Sequence, residues 1–268
     1  MSSTDSHRYR RGLEILQKVE NTGTPSIVTS LKGLAPDLAT LAVSFVYGEI
    51  YTRPHLGLPE RQLITVAILA ALGNAKPQLK FHVAGALNVG CARHEVVESM
   101  LHLAVYAGFP AALNGVFAVQ EVFRDCGMPD SDAGAPQPAF VPGAGGRFDA
   151  GWSALRKVDG HAGEEIIAAL ADIAPDLGRF IIEFGFGDIY TRPGLGLLQR
   201  ELITVAALAA MGTAAPQLRV HMHGLLNVGG NRDQLVETLI HVAAYAGFPA
   251  ALNGMSIAGE ILAERGMN

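Results

Sequence analysis

The sequence predicts an all-α fold made of two tandem copies of one helical unit, and three observations carry that prediction. The stretch YTRPHLGLPERQLITVAILAALG at 51–73 returns as YTRPGLGLLQRELITVAALAAMG at 190–212, with six of 23 positions changed. The offset of 139 residues then holds without a gap. His82 falls on His221, His102 on His241, and YAGFPAALNG at 106–115 recurs letter for letter at 245–254. Third, apolar residues recur at helical spacing, and no alternating run bounded by hairpin turns interrupts them.

Local signals place the elements. Residues 8–20 read as an amphipathic helix with Leu13, Leu16 and Val19 on its apolar side. Thr24 and Pro25 open a short second piece that ends near Gly33. Pro36 and Asp37 suit a first turn, because proline needs no amide partner there and a carboxylate favours the positive helix end. That third helix is expected to run to about Tyr51, where Arg53-Pro54 breaks it. Pro59 and Glu60 start a fourth, whose apolar run to Leu72 predicts burial on nearly all sides before Gly73 ends it. Pro77 opens the fifth, which carries Leu79, His82, Val83, Ala86 and Leu87 and stops at Gly90. The sixth spans 93–107, with Val96, Val97, Met100, Leu101 and Ala104 apolar, and the seventh runs from Ala111 to about Arg124. The same programme repeats from about Phe148.

The domain boundaries follow: a first repeat at 1–128, a linker at 129–146 rich in Pro, Gly and Asp, and a second repeat at 147–268. Each repeat is long enough to bury a core. The chain is 49% hydrophobic and only 17% charged, which predicts apolar surface hidden between subunits of a homo-oligomer. A net charge of −5 without any Lys/Arg run excludes a nucleic-acid partner. The longest apolar run, 63–72, is about half of what a bilayer needs, so no membrane partner is expected. No signal-peptide pattern follows the polar start. Cys91 and Cys126 occur in repeat one alone, facing Gly230 and Arg265, so a disulfide framework is not expected and a reducing, cytoplasmic setting fits.

Duplication supplies an internal comparison for finding chemistry. His82/His221, His102/His241, Arg53/Arg192, Arg61/Arg200, Tyr106/Tyr245 and Asn114/Asn253 are polar residues kept in both copies. His82 and His221 stand mid-helix among leucines, either as buried histidines bonded to the backbone or as general acid/base groups. His102 and Tyr106, like His241 and Tyr245, are four apart on one helix face and read as core or interface partners, with a place beside substrate for the tyrosines. Arg53 and Arg192 sit in a Thr-Arg-Pro loop, suited either to a helix terminus or to a substrate carboxylate. Glu49 and Asp188 lie four residues earlier and are candidates to orient those arginines, or to contact substrate.

The copies also differ. Gln62 becomes Glu201 and Ala84 becomes His223, so repeat two holds the richer acid/base set of Glu201, His221 and His223. The His-x-His pair does not predict a metal site, because residues two apart on a helix point about 200° around its axis. No nucleophile elbow, Gly-rich phosphate loop or Walker motif is present.

On GEIYTRPHLGLPERQLITVAILAALG, then HVAGALNVG and VYAGFPAALNG, each with its second copy, the chain resembles the carboxymuconolactone decarboxylase family. The resemblance covers roughly two thirds of the chain and implies two tandem alkylhydroperoxidase D-like helical domains. The superfamily also contains alkylhydroperoxidases, which require a Cys-x-x-Cys pair shortly before the histidine. Here NAKPQLKF and TAAPQLRV precede the histidines, so thiol peroxidase activity is not expected. The resemblance implies a lyase acting on a small cyclic carboxylate such as γ-carboxymuconolactone, without metal or organic cofactor. Arg192 or Arg53 would stabilise the enolate, and His221 or His82 would deliver the proton. It further implies rings of subunits, with three fused chains rebuilding a six-unit ring.

Two other functions stay open on the sequence. One is a relative repurposed as a hydrolase, cyclase or isomerase of specialised metabolism. The other is a non-catalytic ligand-binding or assembly protein. Specialisation of one copy is expected, with repeat two working and repeat one building the pocket wall.

Overall fold

The computed structural model describes residues 7–128 and 146–267, and every regular element among them is helical. Repeat one comprises α1 (His7–Glu20), α2 (Ser26–Ser30), α3 (Pro36–Leu41), a π-helical segment (Ala42–Ile50), α4 (Leu58–Leu72), α5 (Lys76–Asn88), α6 (Arg93–Tyr106) and α7 (Gly108–Asp125). Repeat two matches it element for element. It contains α8 (Gly146–Asp159), α9 (Ala162–Leu170), α10 (Pro175–Phe180), a second π-helical segment (Ile181–Tyr190), α11 (Leu197–Met211), α12 (Ala215–Asn227), α13 (Arg232–Ala246) and α14 (Phe248–Glu264). Residues 129–145 of the expected linker lie outside the described residues, and Gly146 already belongs to α8.

One element departs from expectation. The third helix does not continue as α to Tyr51 but widens into π geometry after Leu41, and its copy does so after Phe180. Apolar spacing does not distinguish the two geometries over so short a run, and π turns gather where side chains must be re-aimed. The first helix of each repeat lies backbone to backbone against this wide segment. A Cβ on Gly12 would meet the Val43 carbonyl oxygen at 2.0 Å, and one on Gly48 would meet that of Arg8 at 2.2 Å. Only glycine permits that approach. Each π segment delivers a tyrosine, Tyr51 or Tyr190, to the polar centre described below.

Helices α4 and α11 form the middle of the molecule and pack on each other. From Arg61 to Ala70 every residue of α4 is buried, and from Arg200 to Ala210 every residue of α11, as their unbroken apolar runs predict. Both begin at a glycine whose amide is held by the side chain three residues on, Glu60 or Gln199, and both end at a left-handed glycine. The repeats do not keep separate cores. Leu195, Ile203 and Ala207 join the core of repeat one, while Leu56, Ile64 and Ile68 join that of repeat two. No helix among the described residues is long and apolar enough to cross a membrane.

Candidate active site

The α4/α11 pair also carries charge into the centre. Arg61 and Thr65 share one face of α4, and Arg200 and Thr204 share the matching face of α11; all four are fully buried. Each arginine reaches a glutamate on a helix of the other repeat. Arg61 Nη2 lies 3.2 Å from Glu237 Oε2, and Arg53 Nη2 lies 2.8 Å from Glu237 Oε1. In the mirror image, Arg200 Nη2 lies 3.4 Å from Glu98 Oε2 and Arg192 Nη2 lies 2.7 Å from Glu98 Oε1. Burial lowers the pKa of Arg61 and Arg200 while the glutamate pulls it back up. Two Arg–Glu–Arg triads thus clamp the repeats together.

His102 and His241 belong to the same scaffold. The Thr204 hydroxyl donates to the Arg200 carbonyl at 2.9 Å, so its oxygen must accept the bond from His102 Nε2 at 2.7 Å. His102 Nδ1 then accepts from Arg200 at 3.4 Å. Burial, with the arginine charge, holds His102 well below its usual pKa, which fits a neutral ring in that tautomer. His241 repeats the pattern with Thr65 and Arg61. Both rings are fully buried structural partners.

His221 sits differently. It stands at the wall of a cavity of about 480 Å³ that opens between α8, α9, α10, the second π segment and α12, with Tyr106 of repeat one closing one side. Most of the lining is apolar, including Leu155, Ile166, Ile167, Phe180, Phe184 and Phe186. Its polar side chains are His221, Tyr106, Asp159 and Gln217, and no arginine or lysine is among the lining residues.

The dyad behind the wall is Glu201, fully buried on α11, whose Oε2 lies 2.9 Å from His221 Nδ1. Glu201 Oε1 accepts from the Tyr190 hydroxyl at 2.5 Å, so Tyr106, 2.5 Å from Tyr190, donates to it in turn. Burial and the Glu201 charge raise both phenols well above 10, which keeps their protons in place. For His221, burial alone would lower the pKa. The Glu201 charge and hydrogen bond, with Asp159 adding to them, outweigh burial and raise it above 6.5. With Nδ1 on the carboxylate, Nε2 is the nitrogen left for the cavity.

Repeat one has the same skeleton and opposite electrostatics. His82 Nδ1 lies 2.9 Å from Gln62 Oε1, and Tyr51 bridges Tyr245 and Thr65 at 2.7 and 3.0 Å. An amide oxygen offers no charge to offset burial, so the His82 pKa falls to about 3 and the ring stays neutral. Gln62 Nε2 has no hydrogen-bond partner among the described residues. At the counterpart of the cavity the side chains differ: Val46 stands for Gly185, Phe81 for Val220 and Tyr47 for Phe186. All three pack into the apolar cluster around Leu16 and Tyr51, and Phe81 sets its ring edge-on to His82.

The structure thus brings His221, Glu201 and Tyr106 to one site and His82 and Tyr245 together at its counterpart. Other expected site residues are placed elsewhere. His223 lies on another side of α12, where Arg265 Nε donates to its Nδ1 at 3.0 Å; the helical angle between positions 221 and 223 carries it away from the cavity. Arg192 is engaged by Glu98 and is not among the cavity-lining residues. Arg53, paired with Glu237, lines a separate hollow of about 290 Å³ together with Glu49.

The expected Glu49–Arg53 and Asp188–Arg192 pairs do not form. Glu49 bonds Arg8 at 3.2 Å, and Asp188 bonds Arg147, because the first helix of each repeat packs along the π segment and presents its own arginine.

Glu98, Glu237, Tyr190 and Asp159 were not anticipated. Each keeps its type across the 139-residue offset, as Glu98/Glu237, Tyr51/Tyr190 and Glu20/Asp159, so the internal comparison held their signal. Among the described residues no group of three or more His, Cys, Asp or Glu side chains is placed to hold a metal ion. Both cysteines are free, and the buried Cys91 thiol is pushed up to about 12, chiefly by burial.

Comparison with known proteins converges on one family. The pattern of the carboxymuconolactone decarboxylase family matches the chain twice, at 36–121 and 175–260. A 4-carboxymuconolactone decarboxylase from Acinetobacter baylyi is 35% identical over 127 residues, which is 46% of this chain and 92% of that protein. A nitrosuccinic acid decarboxylase from Metarhizium robertsii is 31% identical over 130 residues, 46% of this chain and 89% of that one. A solved chain from Burkholderia xenovorans LB400, named a candidate gamma-carboxymuconolactone decarboxylase subunit, superposes with a TM-score of 0.60 at 23% identity. That superposition covers 96% of this chain and 98% of the other, and it shows a shared fold. With the family pattern found in both repeats, the chain belongs to the carboxymuconolactone decarboxylase family, as a tandem-duplicated member.

Proposed function

We propose that the chain is a decarboxylase with one working site, the repeat-two cavity, and that the reaction needs neither metal nor organic cofactor. The observation that carries this reading is the His221–Glu201 pair at the wall of an apolar cavity, set against the uncharged His82–Gln62 pair of repeat one. Relatives named for two different acids support the reaction class more than any one substrate.

The His221 imidazolium takes the role that the sequence offered to Arg192: it is the cation that faces the substrate carboxylate. When CO₂ leaves, the bond between the carboxyl carbon and its neighbour breaks. The electron pair moves onto an adjoining carbonyl or lactone group as an enolate, so the substrate supplies its own electron sink. His221 Nε2–H then protonates the carbon that lost CO₂ and becomes a neutral imidazole, its Nδ1–H still held by Glu201. Solvent returns the proton. Apolar walls strengthen both the charge pairing and the proton transfer.

We also read the exposed apolar residues of α7 and α14 as subunit contacts, with three chains closing a ring of six repeats.

CO₂ release by the purified protein, in buffer with chelator, tests the reaction. Monocarboxylic β-keto acids of increasing size serve as substrates, with γ-carboxymuconolactone as the small comparison and spontaneous loss subtracted. Turnover is expected to vanish in His221→Gln and to persist in His82→Gln. Dependence on His82 instead would reverse the assignment of the working repeat. Chemical change without CO₂ would move the reading to an isomerase, cyclase or hydrolase using the same dyad.

A further inference from the structure

The cavity contains an acid that the scheme above does not use. Asp159 ends α8 at the cavity wall, and its Oδ1 is buried with no hydrogen-bond partner among the described residues. Its counterpart Glu20 is fully employed, both oxygens lying 3.0 Å from the Ser26 amide at the start of α2. In repeat two the side chain is one methylene shorter, and Glu165 stands where Ser26 stands, inside α9. The capping bond is absent and the carboxyl is left beside the cavity. Burial raises it to about 6, with the His221 charge acting against that rise. A buried carboxylate oxygen without a donor is costly in a finished fold, and one at a cavity wall is ready for a donor carried by a ligand.

Cavity shape and charge narrow the ligand further. Space of about 480 Å³ walled by Leu155, Ile166, Ile167 and three phenylalanines suits a body of at least two fused rings. His221 is the single cationic group among the lining residues, and Asp159 and Glu201 lie close enough to act on its charge. A ligand carboxylate can take the one ring donor that Glu201 leaves free, His221 Nε2–H. A second would face either apolar wall or Asp159, both unfavourable.

We propose that the repeat-two cavity takes a bulky, largely apolar acid with a single carboxylate and a hydroxyl or similar donor, the carboxylate meeting His221 and the donor meeting Asp159. The substrate class so defined rests on the reading of His221 as the carboxylate partner. Small dicarboxylates are poor ligands on this assignment. Repeat one, with Val46 and Phe81 in the space, takes no such ligand.

Calorimetric titration of the full chain tests this with three probes: the hydroxy-2-naphthoate isomers, 2-naphthoate itself, and cis,cis-muconate as a small dicarboxylate. Both naphthoate types are expected to bind more tightly than muconate. At least one hydroxy isomer should exceed 2-naphthoate by about tenfold, as expected for a hydrogen bond to a charged acceptor. Asp159→Ala should erase that tenfold preference, read as the ratio of hydroxy-naphthoate to 2-naphthoate affinity within the variant.

Gly185→Val copies the repeat-one residue and should abolish naphthoate binding. Its new Cβ meets only Val105 Cγ1, at an ordinary 3.7 Å, so the fold is retained. Tightest binding of muconate, a hydroxyl preference that survives Asp159→Ala, or unchanged binding in Gly185→Val would each overturn the proposal. His221→Gln separates the two layers. If the hydroxyl preference depends on Asp159 while His221→Gln leaves carboxylate affinity unchanged, the reading of His221 is what fails.

Discussion

His221 Nδ1 lies 2.9 Å from Glu201 Oε2, and that contact is what distinguishes the two halves of this duplicated chain. Its twin, His82 with Gln62, has the same length, but Phe81 sets its ring edge-on to His82 where repeat two has Val220. One changed atom, an amide nitrogen for a carboxylate oxygen, moves the histidine from a neutral core residue to a proton-holding group.

Glu201→Gln should therefore convert the proposed working site into a copy of the His82–Gln62 pair. A proton donor is active only while protonated, so the rate is expected to fall as pH rises through the His221 pKa. With Glu201 in place that pKa is raised, and the falling limb lies above pH 6.5. Without the carboxylate, burial dominates and the limb should move to acid by about one unit or more. A pH–rate profile of the two proteins decides it; an unmoved limb would assign the proton to another group.

Stability should respond to pH through the silent histidines. His82, held near 3, and His102 and His241, both held well below 6.5, refuse protons that the unfolded chain accepts near 6.5. Their contribution is fully present above 6.5 and is lost as pH falls. His221 and Asp159, both raised, run the opposite way and lose their contribution as pH climbs through their folded pKa values. Between about pH 6.5 and 5 the three lowered histidines are opposed chiefly by Asp159, because His221 exchanges its proton above 6.5 in the folded protein. The thermal midpoint should therefore drop across that window. A flat profile would mean that these rings are hydrated or protonated in the folded protein.

Much of this was legible in the sequence. Pro36, Pro59, Gly73 and Gly90 punctuate the helices close to where the structure begins or ends them, and the apolar run of α4 announced its central burial. The Gln62/Glu201 difference is also where the two histidine environments diverge. Partnership across repeats was harder to see. Nothing local to the Thr-Arg-Pro loop says that Arg192 will meet Glu98, 94 positions away, before any substrate does. Asp159 was hidden because its counterpart Glu20 is a capping residue, and the loss of that cap depends on how α9 sits. The π segments were beyond reach, since apolar spacing over nine residues fits α and π geometry alike.

The arginine triads should prove structural. Glu98→Gln leaves Arg200 buried without its counter-charge, and breaking a buried pair in this way costs about 3–5 kcal/mol. Arg192→Ala should cost less, because that side chain is 20% exposed and Arg200 keeps Glu98. Urea denaturation of both variants gives the comparison. Arg192→Ala should also leave turnover within a few-fold of the parent; collapse of kcat at unchanged stability would return Arg192 to the catalytic role first expected of it.

Assembly is the remaining expectation with a direct physical motive. Phe109, Leu113 and Phe117 recur every four residues on α7 and are 51–59% exposed, while Phe248 and Leu252 on α14 are 60% and 66% exposed. Helical spacing puts each set on one stripe, and pseudo-symmetry gives the molecule two such stripes. A monomer that left both in water would forgo roughly 25 cal/mol for every Å² of apolar surface it failed to cover. Sedimentation velocity is expected to find a trimer. Phe248→Glu with Leu252→Glu should dissociate it while preserving helicity, because neither side chain belongs to a core cluster. A parent protein that sediments as a monomer at micromolar concentration would assign these stripes to a different partner and leave the His221 cavity complete within one chain.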